Sequence, residues 1–150
     1  MEVFRITRES FAKQLTASGR ANRWNFDDEF IIYTGSSRSL STLELIVHKN
    51  SINPEFTYKV MIISIADEEN LFTSVLQADL PGNWRSMSSY PALQQIGSKW
   101  YRNNQSLVLK VPSAIIFNEY NYLINTKHPD YNEKVSLVRT EDYFWDERLF

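Results

Sequence analysis

The fold is decided by residues 30–48, FIIYTGSSRSLSTLELIVH, in which an apolar run is followed by a polar turn and a helical pattern. Phe30 to Tyr33 has the length and apolar character of a buried strand, and Gly35 follows it as a turn signal. Ser36 or Ser37 then fits a helix N-cap, because a serine hydroxyl accepts a hydrogen bond from a free N–H of the first turn. The stretch therefore predicts a strand, a turn and the start of a helix.

The helix is predicted from the spacing of the apolar residues that follow. Leu40, Leu43 and Val47 recur at intervals of three and four residues, which places them on one helical face. His48 and Lys49 lie at the C-terminal end, where positive charge is favourable to the helix dipole. This is the clearest helix that the sequence predicts.

Elements on both sides of this stretch complete a single α+β domain over residues 1–150, with small mixed sheets and helices. A long strand is predicted from Phe56 to Ala66, and a second helix from Pro91 to Arg102, since proline suits a first helical turn. The remaining predicted elements are a strand at Val3 to Ile6, a brief helix at Ser10 to Ala17, a turn at Pro81-Gly82, and strands at Leu107 to Leu109, Tyr122 to Ile124 and Val135 to Val138.

Composition excludes several classes of function. The chain of 150 residues is 43% hydrophobic and 23% charged, as in an ordinary globular domain, and its net charge of -2 argues against direct binding of nucleic acid. It has no cysteine, which excludes thiolate nucleophiles and fits a reducing cytoplasm. His48 and His128 are far apart, so no metal site is predicted. No run approaches the ~20 apolar residues of a membrane span, and a charged N-terminus argues against a signal peptide; we expect a cytoplasmic protein.

Glu44 interrupts the apolar face of the predicted helix. It lies four residues after Leu40 and three before Val47, so its side chain shares their stripe. A carboxylate directed toward a core costs free energy unless it is paired, hydrogen-bonded or open to a cleft. Glu44 is therefore either a functional carboxylate in a cleft or a flank residue that reaches water or an arginine.

Two aromatic segments offer further candidate residues, each with two interpretations. Arg23 precedes Trp24 and Asn25 in a loop, and its guanidinium suits a phosphate or carboxylate of a ligand. It could equally bind a core carboxylate, with Trp24 as a packing anchor. Tyr33 ends a predicted strand, where its ring could stack on a base or pyridine, or cover the core.

Ser113 follows a predicted strand directly. No G-x-S-x-G motif surrounds it, so a hydrogen bond to a ligand hydroxyl is more plausible than a nucleophilic role. The alternative is a turn serine bonded to its own backbone. The sequence also lacks the glycine-rich motifs of P-loop and Rossmann proteins, so a dinucleotide would have to be held by side chains and loops.

Taken together, these segments resemble the RES domain, a family named for its Arg, Glu and Ser motif residues. The likeness spans nearly the whole chain. Its pieces are Phe4-Arg5-Ile6, Arg23-Trp24-Asn25, Ile32-Tyr33-Thr34, Leu43 to His48, Leu80-Pro81 with Trp84, Ile96-Gly97 with Trp100, Val111 to Ala114, Asn121 to Asn125, His128-Pro129 and Asp146 to Leu149. The chain departs from the family pattern at Ala21-Asn22, where glycines are usual, and at Thr126, where proline is usual.

The resemblance implies a fold similar to ADP-ribosyltransferase toxins and an activity that consumes NAD⁺ as substrate, with no separate cofactor. It implies that Arg23, Tyr33, Glu44 and Ser113 form the site. It also implies an Xre-type antitoxin with a helix-turn-helix domain that covers the pocket of the toxin. A second copy of the chain, as a homodimer, is a further candidate partner.

A mechanism follows from this implied site. Nicotinamide leaves as a neutral group, so the barrier lies in the oxocarbenium-like ribose, which Glu44 would stabilise. Tyr33 would stack on nicotinamide, and Ser113 would orient the ribose. Arg23 would bind a phosphate or ribose oxygen, and Arg38 is a candidate for the pyrophosphate unless it is simply a solvated arginine at the helix start.

The acceptor of the ADP-ribosyl group stays open at this point. Water would make the chain an NAD⁺ glycohydrolase, inorganic phosphate an NAD⁺ phosphorylase, and a protein side chain a mono-ADP-ribosyltransferase. Phosphorolysis would need an additional anion site, for which Arg5 and Arg20 are candidates. Because Ala21-Asn22 replace glycines, a catalytically inactive domain that binds a nucleotide or a protein partner is the non-enzymatic alternative.

Overall fold

Seven strands form one mixed sheet in the computed structural model, which describes residues 1–48 and 52–149. The strands are β1 (Glu2–Arg8), β2 (Ile31–Gly35), β3 (Tyr58–Ile65), β4 (Phe72–Ser74), β5 (Val108–Pro112), β6 (Tyr120–Asn125) and β7 (Val135–Tyr143). Their order across the sheet is β4-β5-β6-β2-β1-β3-β7, and β4 and β5 are parallel. The helices of the described residues are α1 (Arg38–Val47), α2 (Tyr90–Arg102) and α3 (Tyr131–Lys134).

The sheet is nearly divided between β1 and β2. β1 pairs with β3 from Glu2 to Arg8, and β2 pairs with β6 from Ile31 to Gly35. Between β1 and β2, by contrast, one pair joins the strands, Phe4 with Gly35. Beyond that pair the strands separate, so their facing backbone groups line an opening instead of a ladder. The α+β class is confirmed, and the predicted small sheets are two halves joined at this point.

Helix α1 is fixed against this junction by local hydrogen bonds. The Ser37 hydroxyl accepts from the backbone N–H of Leu40 (3.1 Å), which confirms the predicted N-cap. The Ser41 hydroxyl donates to the carbonyl of Phe4 (2.8 Å) and so ties the helix to β1. A Cβ at Gly35 would lie 2.6 Å from Ser41 Oγ, so the close approach of helix and strand requires glycine. His48 follows α1 as its C-cap, and Lys49 lies outside the described residues.

Helix α2 packs against the loop that precedes β2. Leu93 and Trp100 are buried in a cluster with Trp24 and Trp84. Gly97 lies directly beneath this loop, because a Cβ added there would come within 1.7 Å of the Trp24 carbonyl oxygen. The backbone of the loop therefore lies directly against α2 at Gly97, and this contact positions the residues around Trp24.

Most predicted elements are confirmed, and one is wrong. In place of a helix at Ser10 to Ala17, the structure has a 3-10 turn at Glu9–Phe11 followed by irregular chain. The physical reason lies in tertiary contacts: Ala12 and Leu15 pack on the core, and the Thr16 carbonyl accepts from the Arg5 side chain (2.7 Å), which fixes the irregular chain beside β1.

The largest differences from the predicted strands are at β4 and β7. The three-residue β4 was not predicted, since so short a run has no resolvable periodicity. β7 continues beyond Val138 to Tyr143. The prediction stopped at Val138 because the second half of this edge strand is mostly exposed and charged, and so lacks the alternation of apolar residues that indicates a strand. Within the described part of the chain, no helix has the length and apolar character to cross a bilayer.

Candidate functional site

Two adjoining cavities, of about 680 and 270 Å³, open beside the split between β1 and β2. The larger has the volume of a typical small-molecule site. The larger cavity is lined by residues 18 and 20–24, by the end of α1, by residues 87 and 90 and by residues 112, 114 and 115, whereas the smaller lies along residues 4–7 and 33–35. The residues that line both cavities are Asn22, Tyr33, Glu44, His48 and Asn121.

Glu44 faces this shared wall because the stripe of α1 runs out over the cleft. Leu40, one turn earlier, is fully buried, and Val47, one turn later, is exposed at the rim of the larger cavity. Glu44 Oε1 accepts a hydrogen bond of 2.6 Å from Asn121 Nδ2. Among the described residues, Oε2 has no hydrogen-bond partner. Glu44 therefore lies at the wall of a cleft, and among the described residues one of its carboxylate oxygens is not engaged.

The Arg23-Trp24-Asn25 loop is held by Tyr33. The Tyr33 hydroxyl donates to Asn25 Oδ1 (2.7 Å) and accepts from the Trp24 N–H (3.1 Å). Trp24 is the packing anchor that the sequence offered as one interpretation, since it is 2% exposed. Arg23 lines the larger cavity, where its guanidinium lies 4.7 Å from the ring of Tyr90 and donates to the Arg85 carbonyl (3.2 Å).

A buried carboxylate does hold this loop, but its arginine is not Arg23. Glu29 accepts hydrogen bonds from Ser98 Oγ, from Arg102 Nε (3.0 Å) and from the Phe26 N–H (2.9 Å). Ser98 and Arg102 belong to α2, so Glu29 ties the loop to that helix. Arg23 lies instead at the cavity wall, where its guanidinium donates to the backbone carbonyls of Trp84 and Arg85.

Gln94 makes a second link between α2 and the same loop. Its Nε2 donates to the carbonyls of Asn22 (3.0 Å) and Asn25 (3.2 Å). Together with Glu29, this side chain holds both ends of the Arg23-Trp24-Asn25 segment. Glu29 and Gln94 were not predicted from the sequence, because most of their hydrogen-bond partners are remote in the chain.

Tyr33 is held as a neutral phenol. Burial raises its pKa far above the ordinary value, and the hydrogen bond from the Trp24 N–H only partly opposes that shift. Its ring lines both cavities while its hydroxyl is engaged by the loop. Tyr33 thus lines the cleft as a residue whose hydroxyl is committed to the loop.

Replacing Tyr33 with phenylalanine tests this assignment through alkaline stability. We expect Tyr33→Phe to lose about 1–2 kcal/mol of unfolding free energy at pH 8, because two hydrogen bonds disappear. The ordinary pKa of tyrosine is 10.0. Above that pH, Tyr33 ionises in the unfolded wild type but stays protonated in the folded protein, so the free energy of unfolding of the wild type falls. The difference between the two proteins should therefore shrink by about 1 kcal/mol per pH unit above 10. Urea unfolding at pH 8 and pH 11 measures it; an unchanged difference would contradict the buried phenol.

Ser113 does not line either cavity. Its hydroxyl accepts from the N–H groups of Ile115 and Ile116 (both 3.1 Å), and the residue is 1% exposed. This is the turn interpretation that the sequence also allowed. Its neighbours Pro112 and Ala114 do line the larger cavity, so Ser113 shapes that wall through the turn.

Arg38 also lies outside the residues that line the cavities. Its guanidinium binds both carboxylate oxygens of Glu141 (3.0 Å each) and lies 4.7 Å from the ring of Phe4. The pairing lowers the pKa of the Glu141 carboxyl. Arg38 is therefore the exposed arginine at the start of the helix, and it is not placed to contact a pyrophosphate in the cavities.

The charge around the cleft is mainly positive. Arg20 and Arg23 line the larger cavity, Arg5 lines the smaller one, and among all lining residues described Glu44 is the sole carboxylate. Burial lowers the pKa of Arg5, and its guanidinium is bound to the Thr16 carbonyl. In the described residues, no group of three or more acidic or histidine side chains could hold a metal ion. The cleft is thus suited to an anionic ligand that also carries a positive group for Glu44.

Comparison with known proteins places the chain in a family. The family model of the RES domain matches residues 2–146. The "Toxin Res" of Yersinia enterocolitica is 31% identical over 153 residues, covering 99% of this chain and 99% of that protein. The "Prs ADP-ribosylating toxin" of a Sphingobium species is 31% identical over 128 residues, covering 85% of this chain and 79% of that protein.

A solved structure supports the fold. A chain in the crystal structure of the M. tuberculosis MbcT–MbcA toxin–antitoxin complex superposes with a TM-score of 0.73 at 17% identity. The match covers 95% of this chain and 83% of that one. The chain therefore shares its fold with a protein of a toxin–antitoxin complex.

Proposed function

The chain belongs to the RES domain family, and we propose that it is the toxin of a toxin–antitoxin pair that cleaves the nicotinamide–ribose bond of NAD⁺. The observation that carries the proposal is Glu44. It is a carboxylate with one unengaged oxygen, in a cleft of about 680 Å³ whose other charged side chains are cationic. NAD⁺ has the matching charges, since its pyrophosphate is anionic and its nicotinamide ring is cationic.

The larger cavity would bind the dinucleotide. Arg20 and Arg23 line it and would pair with the pyrophosphate, for which a guanidinium is well suited. The ring of Tyr33 would pack on nicotinamide, and its phenol would stay uninvolved in proton transfer because its pKa is raised. Ser113 would act only by holding the turn beside Pro112, and Arg38 is not part of the proposed site.

Glu44 would act on the ribose. Nicotinamide departs without protonation, so the chain needs no general acid, and the transition state is an electron-deficient ribose. Glu44 Oε2 would accept from ribose hydroxyls and stabilise the developing positive charge. A fixed carboxylate in a cleft of lowered dielectric contributes several kcal/mol to such a transition state.

Water or inorganic phosphate would complete the reaction by attacking the ribose. The first makes the chain an NAD⁺ glycohydrolase and the second an NAD⁺ phosphorylase. The antitoxin, of Xre type, would cover the mouth of the cleft, where Val47 and Met87 are exposed at the rim of the larger cavity. NAD⁺ is abundant in the cytoplasm, where such a toxin would act.

Induced expression tests this function in cells. In a bacterium without the antitoxin, the wild-type chain should deplete the NAD⁺ pool before growth stops, and Glu44→Ala should leave both unchanged at equal protein level. Extracted NAD⁺ and colony counts are the measurements. Equal toxicity of the two proteins, or arrest with a full NAD⁺ pool, would contradict the proposal.

Transfer of ADP-ribose to a protein is the second candidate, favoured by the Sphingobium relative named as an ADP-ribosylating toxin. It would use the same cleft and the same Glu44, with a protein side chain as acceptor. Labelled NAD⁺ in a lysate distinguishes the two: a discrete labelled band supports protein modification, and label confined to small molecules supports hydrolysis or phosphorolysis.

A further inference from the structure

Asn121 lies on the wall between the two cavities, on a different element from the proposed catalytic carboxylate. It belongs to β6, opposite Gly35 on β2 and Val111 on β5. Its Nδ2 donates to Glu44 Oε1 at 2.6 Å, a short charge-assisted bond between β6 and α1. The two residues are 77 positions apart in the sequence, so this contact exists only because the sheet brings β6 under the helix.

The other half of the Asn121 amide is unusual. Its Oδ1 is buried and has no hydrogen-bond partner among the described residues. A buried acceptor without a partner is unfavourable, so the fold keeps this arrangement against a cost. The partner explains it, because carboxylate oxygens accept hydrogen bonds and a flipped amide would place its oxygen against an oxygen of Glu44.

The other side chains of the shared wall do not orient the carboxylate in this way. The Tyr33 hydroxyl is used by Trp24 and Asn25, and His48 Nδ1 contacts the backbone carbonyl of Glu44 at 3.0 Å. Asn121 therefore provides the side-chain hydrogen bond that fixes the Glu44 carboxylate.

We propose that Asn121 is a positioning residue that binds one oxygen of Glu44 and turns the other toward the ribose. This inference rests on the proposed cleavage of NAD⁺ and adds to it a residue outside the Arg, Tyr, Glu and Ser set. Glutamate has a flexible side chain, and a half-buried one at the end of a helix stripe would otherwise sample several rotamers. Because Asn121 holds the Glu44 side chain in one orientation, the rate of cleavage depends on the position that Asn121 gives the carboxylate.

Asn121→Asp tests the proposal with almost no change of shape. At pH 8 the new carboxylate repels Glu44, and we expect kcat to fall about 100-fold with KM changed less than threefold. As the pH falls, the carboxyl pair takes up one shared proton, which restores a donor to Glu44. The ratio of variant to wild-type kcat should therefore rise about tenfold between pH 8 and pH 5.5.

Taking the ratio of variant to wild-type kcat cancels the pH dependence of the groups that both proteins contain. The titratable and charged groups lining the same cavities are Arg5, Arg20, Arg23, Tyr33, His48 and Tyr90. Asn118→Asp, which places the same charge on the exposed loop before β6, serves as the matched control and should follow the wild-type profile. Asn121→Ala, checked for a native melting curve, should also lose kcat without recovery at low pH.

Three results would overturn the positioning role: a pH-independent ratio for Asn121→Asp, the same recovery in Asn118→Asp, or wild-type kcat in Asn121→Ala. Carboxyl carbon NMR of labelled glutamate separates this failure from failure of the proposed function. If the wild type cleaves no NAD⁺ but the Glu44 resonance titrates differently in Asn121→Asp, the contact stands and the function fails. If that resonance titrates identically in both proteins, the contact itself is refuted.

Discussion

Glu44→Gln is expected to lower kcat for NAD⁺ cleavage by about 1,000-fold, or ~4 kcal/mol of transition-state stabilisation. The substitution removes the negative charge and keeps the shape of the side chain. KM should change by less than about threefold, since the proposed interaction strengthens only when the ribose becomes electron-deficient. Nicotinamide release by the purified variant at several NAD⁺ concentrations measures both constants.

The fold should not change in this variant, which makes the kinetic result specific. Glutamine keeps an acceptor oxygen for the Asn121 amide, and Glu44 is half-buried at the end of a helix. Glu133→Gln is a matched control, because Glu133 is 78% exposed and lies outside the cavity walls. Activity within tenfold of wild type in Glu44→Gln would mean that the carboxylate is not the catalytic group.

Gly97→Ala is expected to destabilise the chain by about 3 kcal/mol. In an exposed helix the same change is stabilising by about 1 kcal/mol, because alanine is the better helix former. Here the added Cβ would lie 1.7 Å from the carbonyl oxygen of Trp24, a backbone atom that cannot rotate away. Either α2 or the loop before β2 must move, with loss of packing around Trp24.

The effect should appear in stability and in ligand binding. The melting temperature of Gly97→Ala should fall by roughly 10 °C. Binding of NAD⁺ should also weaken, because Arg23 directly precedes Trp24 in the displaced loop. Gly82→Ala is the control, since a Cβ there meets nothing within 4 Å, and we expect a change below about 0.5 kcal/mol. Equal melting temperatures for the two variants would refute the close contact of α2 with the loop.

Local signals were sufficient for much of the fold. The strand, the serine cap and the helix over residues 30–48 each depend on neighbours within one turn, and the structure confirms all three. The predicted helix at Ser10 to Ala17 is absent because Ala12 and Leu15 pack on the core along an irregular path, which depends on residues remote in the sequence. The split between β1 and β2 is a property of strand pairing that no periodicity encodes.

Part of the candidate site could be predicted from local signals, since Arg23, Tyr33 and Glu44 were all singled out in the sequence and all line the cleft. Glu44 was found because it is a carboxylate in an apolar stripe, and that conflict is visible in the sequence. Asn121 and Glu29 were not found, because their hydrogen-bond partners Glu44 and Ser98 are 77 and 69 residues away. Ser113 was predicted as a ligand contact with a turn as the alternative, and the hydrogen bonds that it accepts from the N–H groups of Ile115 and Ile116 correspond to the turn.

The most direct test of the central claim is proton NMR of NAD⁺ mixed with the purified chain, free of any antitoxin, with and without inorganic phosphate. We expect free nicotinamide to appear at the rate at which NAD⁺ disappears, in at least one of the two buffers. The second product then identifies the acceptor as water or phosphate. An unchanged NAD⁺ spectrum in both buffers, from protein with a native melting curve, would contradict the claim that this cleft breaks the nicotinamide–ribose bond.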